Sequence, residues 1–442
     1  MAQRSSQNHE WRGRIHAIKR LRRTYSVPER YSASTSTAST SENRSLGLVV
    51  SSAALGVSSA IAVAGFKELV VVGRDALVEY GAYATILGPL AAAAVTSAIV
   101  SMDEVDAVSI PSVDEAKEVN VMKGLRRVRR LAAAAAALAG GISLGPEAPS
   151  AELGGTLGLI SARSAKRARR RVMVAAGAAA GVAAAFHAPF AGALYAVELV
   201  LTEEGEARSG IAAVLVASVT SAAVAAQFGV EQTLDTLPRI PPDALFAAPL
   251  SQQNVVMLLP LGIACGIASG VLDTTVRITR NASASMPRWA VLGISGLAVG
   301  LIVNSVPGGK LPDSLDAVLA WKANVSGTAS PLTVVAVVAA CAKLVATGLS
   351  KGAGFAGGLF APTLVIGGLV GGCFSEEPQF ALVGAGAVMA CVCRVPLTAT
   401  AMLLELSRNP ALLVPMMATT GIAAAVTDGI EARFEDDSCN NR

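Results

Sequence analysis

The sequence predicts an all-α polytopic membrane protein built from two homologous halves, and three observations carry that prediction. Of its 442 residues, 52% are hydrophobic and only 15% charged, with a mean hydropathy of +0.54, against roughly 25% charged residues in an ordinary soluble domain. Apolar runs of bilayer length, or nearly so, recur along the chain, and in lipid each must be helical because its backbone groups have no water to bond. Finally, two sequence blocks return at one offset of 207 residues.

Taken in order, residues 1–45 form an Arg-rich, Ser/Thr-rich, acid-poor tail without an apolar core. It reads either as an organellar transit peptide or as a disordered leader. The first half, 46–228, holds apolar runs at Leu46–Phe66, Gly81–Met102, Val172–Leu201 and Ile211–Val224. A connection, 229–252, leads to the second half, 253–427, with runs at Val255–Leu272, Ala290–Val306, Leu332–Leu349, Phe380–Cys393 and Leu412–Val426. Residues 428–442 are a polar C-terminal tail.

Two basic clusters, Lys123–Arg130 and Arg163–Arg171, flank apolar segments. They favour the untranslocated side of the membrane and contact with lipid headgroups. Nucleic acid is not an expected partner, because neither cluster carries interleaved aromatics. With both clusters on one side, residues 131–162 enter the membrane and return as a hairpin, placing a helix start near Glu147 at membrane depth. The six cysteines, Cys265, Cys341, Cys373, Cys391, Cys393 and Cys439, read as small core residues, and no metal site is expected.

The repeat pairs Gly141-Ile-Ser-Leu-Gly145 with Gly348-Leu-Ser-Lys-Gly352. It also pairs Pro189, nine residues before Glu198, with Pro396, nine before Glu405, and Gly177 falls in step with Gly384. Paired halves with interrupted apolar segments point to a transporter or channel whose ion site lies where the halves meet. The interruptions are Ile110–Ser112, Gly145–Pro149 and Gly357–Pro362.

A helix start exposes unpaired N–H groups and about half a positive charge, so it holds an anion without a fixed cation. Glycine lets the backbone approach the ion, and proline suits the first turn because it needs no N–H there. A carboxylate in that setting competes with the anion. Ionised, Glu147 occupies the anion position; protonated or swung away, it vacates it. The plainer alternative is that Glu147 only caps its own helix. Glu198 and Glu405 read as structural partners of backbone or arginine groups, and His187 as a helix-start residue bonded to backbone.

The motifs resemble the CLC family of chloride channels and proton-coupled anion transporters. Gly145–Pro149, GPEAP, is similar to the family's G-[KR]-E-G-P, and Gly358–Pro362 to G-x-F-x-P. Phe186–Glu198, FHAPFAGALYAVE, resembles F-N-A-P-L-A-G-x-x-F-x-x-E. The resemblance is to short plant, algal or cyanobacterial members lacking C-terminal regulatory modules. It implies an inverted-topology repeat of tilted, broken helices in a homodimer with one anion pathway per subunit, chloride as transported ligand and no cofactor. It assigns gating to Glu147 and anion binding to Ser109, Ile110, Glu147, Ala148, Leu359 and Phe360. The motif glycines and prolines are Pro111, Gly145, Pro149, Gly358 and Pro362.

Three positions depart from the pattern. Val108 stands where the family's coordinating serine is expected, with Ser109 one place later. Leu199 stands at the exchangers' inner proton-transfer glutamate, and an apolar side chain cannot relay a proton. Nothing matches the family's last anion-contacting tyrosine; the ungapped position is Asp436, with Phe434 two residues earlier. Leu199 favours a voltage- or pH-gated chloride channel over a chloride or nitrate/proton antiporter. An intramembrane serine hydrolase is the remote alternative, since Gly141–Gly145 and Gly348–Gly352 both fit G-x-S-x-G. It lacks a base, because His187 is the only histidine beyond the tail. Expected localisation is a multi-pass membrane protein of a chloroplast or other organelle, or of the plasma membrane.

Overall fold

The computed structural model describes residues 35–78, 81–100, 121–201, 204–228, 252–306, 311–312, 315, 317–318, 332–375 and 377–440. The chain divides into a short unit, Met1–Leu48, whose described part is the start of the first helix, and a large unit, Val49–Arg442. The large unit is the membrane body, and its described residues are almost wholly helical. In the first half the helices are α1 Thr35–Val78, α2 Ala84–Val100, α3 Val121–Ala139, α4 Glu147–Ser161, α5 Arg167–Phe186, α6 Pro189–Leu199 and α7 Glu204–Ala225. In the second half they are α8 Gln252–Ser283, α9 Arg288–Ser305, α10 Leu332–Gly352, α11 Phe360–Gly372, α12 Pro378–Cys393, α13 Pro396–Ser407 and α14 Leu413–Asn440. α1 therefore begins ahead of residue 46, and α14 runs without a break past residue 427.

Among the described residues, six helices are long and apolar enough to cross a membrane. Others are not: α6 has 11 residues and α11 has 13, about 17 and 20 Å at 1.5 Å per residue, against a hydrocarbon core of about 30 Å. The apolar run Val172–Leu201, expected as one bilayer-length segment, is in fact two helices. His187, in the left-handed conformation at φ 55°, ends α5, and Pro189 opens α6. Arg394, at φ 57°, does the same between α12 and α13, with Pro396 as the opening proline. The proline ring presets the new helix while its missing N–H leaves no orphan donor.

The centre of each half is a helix pair in backbone contact. An ideal Cβ on Gly154 of α4 comes 2.1 Å from the Gly177 carbonyl oxygen of α5, and one on Gly367 of α11 comes 2.2 Å from that of Gly384 on α12. Only glycine lets these helices close to that distance. Gly177 and Gly384 thus play the same part in both halves, at the expected offset.

The offset changes at the helix starts, and one expected pairing is corrected. Gly348–Gly352 forms the end of α10, whereas Gly141–Gly145 is the turn after α3. The structural mates are Gly141 with Gly354, both at positive φ (79° and 91°), and Gly145 with Gly358, 213 residues apart. The six extra residues of the first half are accounted for by α4, two residues longer than α11 (15 against 13), and by α5, four longer than α12 (20 against 16).

The halves interlock through reciprocal carboxylates. Glu198, near the end of α6, accepts hydrogen bonds from the N–H groups of Leu397 and Thr398 at 2.8 Å each, and from the Thr398 hydroxyl, at the start of α13. Glu405 of α13 accepts from Phe190 N–H and Ala191 N–H at 2.8 Å, at the start of α6. Each glutamate satisfies donors that a helix start leaves open, so both are partners of backbone. α3 and α4 are joined through the turn at Gly141, and an Arg130–Glu152 ion pair of 2.7 Å links them. Of the cysteines, Cys265 is fully buried, while Cys341 is exposed and Cys373, Cys391 and Cys393 are half-buried; the side chain of Cys439 lies outside the described residues.

Candidate anion-binding site

Two chain reversals build the site. After α3 the chain turns at Gly141, and Ile142 and Leu144 anchor the turn by packing with Ala133, Ala134, Ala137 and Leu138. After α10 it turns at Gly354, with Phe355 and Ala356 in the same cluster. The two turns then bond each other: Gly145 N–H donates to Gly358 O at 2.9 Å, and Gly358 N–H to Gly145 O at 2.7 Å. This antiparallel bridge brings the starts of α4 and α11 together.

Neither start is capped by its N-cap side chain, Pro146 or Leu359. Pro149 and Pro362 occupy the third position of each helix and have no N–H to leave open. In the fourth, Ser150 N–H and hydroxyl bond Pro146 O at 3.0 and 2.9 Å, and Thr363 N–H and hydroxyl bond Leu359 O at 3.0 and 2.7 Å. The donors outside these ladders are therefore the N–H groups of Glu147 and Ala148 in α4, and of Phe360 and Ala361 in α11.

Glu147 is 3% exposed, and its Oε2 has no hydrogen-bond partner among the described residues. Its carboxylate meets its own N–H and that of Ala361, so it lies at the head of α11. Gly145 and Gly358 leave the room it occupies: an ideal Cβ would come 2.0 Å from Oε2 at the first and 2.9 Å at the second. Lys67 of α1 acts electrostatically on this carboxylate while its ammonium donates to Ala185 O at 2.6 Å. On the other side of the α11 start, the Phe360 ring stacks on Phe186 at 6.4 Å and meets the edge of Tyr195 at 5.7 Å. The Lys351 ammonium donates to Gly357 O at 3.0 Å, just before the α11 start.

Glu147, Ala148, Leu359 and Phe360 are thus brought together, with Gly145, Pro149, Gly358 and Pro362 shaping the junction. Ser109, Ile110 and Pro111, with Val108, lie outside the described residues. Leu199 ends α6, 42% exposed, and the side chains of Phe434 and Asp436 are outside the described set. Sequence reasoning missed Lys67, Phe186, Tyr195 and the Ala361 N–H. The correct repeat register holds the signal for the last: it sets Phe360 against Glu147 and Ala361 against Ala148.

The fold is that of a polytopic membrane protein made of two interlocked, inverted halves. Residues 91–428 match the family described as voltage gated chloride channel. The chain is 33% identical over 343 residues to chloride channel protein CLC-f of Arabidopsis thaliana, which aligns to 69% of this chain and 42% of that protein. It is 29% identical to CLC-e of the same plant, over 67% of this chain and 46% of the relative. To the H(+)/Cl(-) exchange transporter ClcA of Salmonella arizonae it is 32% identical, over 64% of this chain and 61% of the other. The chain belongs to the CLC family. It spans less than half the length of the two Arabidopsis relatives. Among solved structures, a slow cyanobacterial Cl-/H+ antiporter shares the fold with a TM-score of 0.69 at 20% identity, over 89% of this chain and 99% of the other. A CLC-type fluoride/proton antiporter does so at 0.66 and 20% identity, over 87% and 96%.

Proposed function

We propose that the chain carries a small anion, chloride first, across the bilayer past the facing starts of α4 and α11, with Glu147 as its gate. The observation that carries this reading is the Glu147 carboxylate, buried between two glycines at the head of α11 with Oε2 unpaired among the described residues. Burying an ionised carboxylate is costly unless its charge is met. Here the N–H groups and dipole of α11 meet it, and the same groups suit a chloride ion once the side chain withdraws or is protonated. In this reading Ala148, Leu359 and Phe360 contribute backbone contacts, and Ser109 and Ile110 complete the path. A carboxylate that moves within the membrane field responds to both voltage and proton concentration.

The reading makes the protein a passive channel, because Leu199 at the end of α6 holds no proton. Proton-coupled exchange is the second reading, supported by the exchange transporter among the relatives. Purified protein in liposomes under opposed chloride and proton gradients separates them. A channel reverses at the chloride equilibrium potential whatever the pH, and a reversal displaced by the proton gradient assigns exchange instead. Glu147→Gln, nearly equal in volume, tests the gate: anion flux rises and its dependence on external pH flattens. Unchanged flux with intact pH dependence sinks the gate.

Assembly as a homodimer and residence in an organellar membrane complete the proposal. Light scattering of the detergent-solubilised protein should give the mass of two chains, and a single-chain mass refutes the dimer. Residues 1–45 fused to a fluorescent reporter should direct it to an organelle, and a diffuse signal refutes the address.

A further inference from the structure

The basic turn between α4 and α5 takes no part in the anion path, yet it borders a cavity of about 490 Å³. Ser51 of α1, Ile160 and Ser161 at the end of α4, Arg163 and Ser164 of the turn, and Arg169 and Met173 of α5 line it, and no acidic residue among the described residues does. Three turn bonds fix its shape: Ala162 N–H to Gly158 O, Arg163 N–H to Ile160 O and Ala165 N–H to Ala162 O, at 3.2, 3.3 and 2.9 Å. They fix the backbone of the turn that carries Arg163, and Arg169 stands in the first turn of α5. Met173 is 2% exposed and forms an apolar floor, whereas Ile160, at 63%, and Val50, beside Ser51 at 62%, present apolar surface outward.

The cavity also sits at a defined depth. The apolar stretches of α1 and α5 begin at Leu46 and Val172, so Ser51, Arg163 and Arg169 lie where hydrocarbon gives way to headgroups. The corresponding stretch between α11 and α12, residues 373–377, has Glu376 and Glu377 in its sequence and no arginine, so it repeats no cationic rim. Two arginines and three serines, Ser51, Ser161 and Ser164, beside an outward apolar wall match one amphipathic anion. Arginine forks bind phosphate oxygens in pairs, and the apolar flank suits an acyl chain. We propose that this cavity binds the phosphate headgroup of an anionic phospholipid, its chains lying along Val50 and Ile160. A soluble phosphate would use the rim and leave the apolar wall idle.

The test is independent of transport. The full chain in detergent is titrated with phosphatidylglycerol, with phosphatidylcholine and with inorganic phosphate, and binding is read by native mass spectrometry and by the thermal unfolding midpoint. Phosphatidylglycerol should bind and raise the midpoint, and the other two should not. Arg163→Gln with Arg169→Gln should weaken phosphatidylglycerol binding about thirtyfold, from the usual contribution of a cation at an anionic membrane surface. Ala165→Trp, which fills the cavity and keeps both arginines, should weaken it too. Arg167→Gln with Arg171→Gln removes equal charge from the same stretch outside the cavity and should weaken binding far less than the cavity pair does. Equal losses in the two arginine pairs reduce the effect to diffuse charge and overturn the site. Phosphatidylcholine binding as tightly as phosphatidylglycerol, or phosphate raising the midpoint as far as the lipid does, overturns the lipid assignment.

Discussion

Replacing Glu405 by glutamine isolates the bond that locks α13 to α6. The carboxylate accepts two backbone N–H groups, Phe190 and Ala191, at 2.8 Å each. Glutamine keeps one acceptor and turns an NH2 toward the other donor, so one bond is lost and the survivor loses its charge. A hydrogen bond to a charged group contributes about 1.5–3 kcal/mol and a neutral one about 0.5–1.5. Phe190 is 53% exposed, which places the cost near the low end, about 2 kcal/mol. The assay is thermal or denaturant unfolding in a single detergent, where Glu405→Gln should lower the midpoint by a few degrees. Glu198→Gln should cost more, because Glu198 also accepts the Thr398 hydroxyl, and Thr398→Val should remove the difference. A harmless Glu405→Gln, or equal losses in the two variants, would refute reciprocal capping as the lock between the halves.

Gly177→Ala should be more damaging than either, since its Cβ would come 2.1 Å from Gly154 O, a backbone atom that cannot rotate away. A loss of several kcal/mol is expected for such overpacking, read as failure to recover folded protein, whereas alanine at Gly293, which meets nothing within 4 Å, should be tolerated. Gly358→Ala presses on the flexible end of Glu147, 2.9 Å from Oε2, and less severely on the backbone nitrogen of Ala148 at 3.0 Å. It should cost less stability than Gly177→Ala and shift the external pH dependence of flux toward that of Glu147→Gln; wild-type pH dependence would separate the carboxylate from the glycine pair.

How much of this was legible in the residues differs from element to element. Glu147 stood out because a carboxylate flanked by prolines and glycines within apolar sequence has few uses. The Pro189–Glu198 and Pro396–Glu405 blocks kept their register because both helices must meet the same partner, each glutamate capping the other helix. The helix-start register was misread because short Gly/Ser strings match at several offsets, and the six residues gained by α4 and α5 shift the true one. The break inside Val172–Leu201 was signalled by Pro189 and by His187, a type enriched in the left-handed region, whereas Arg394 is not a residue whose type announces a left-handed turn. Lys67 and Tyr195 carry no local signal: what places them beside the site is the packing of α1 and α6, which no spacing along the chain encodes.

The Gly145–Gly358 bridge has a consequence for how the protein is made. Its two strands are 213 residues apart, so at ordinary synthesis rates the second arrives on the order of ten to forty seconds after the first. Throughout that interval the first half sits in the membrane with its glycine turn facing no mate. The facing helix starts therefore come together only after α11 has been made and has found α4. A truncated product ending before α11 lacks one wall of the junction altogether.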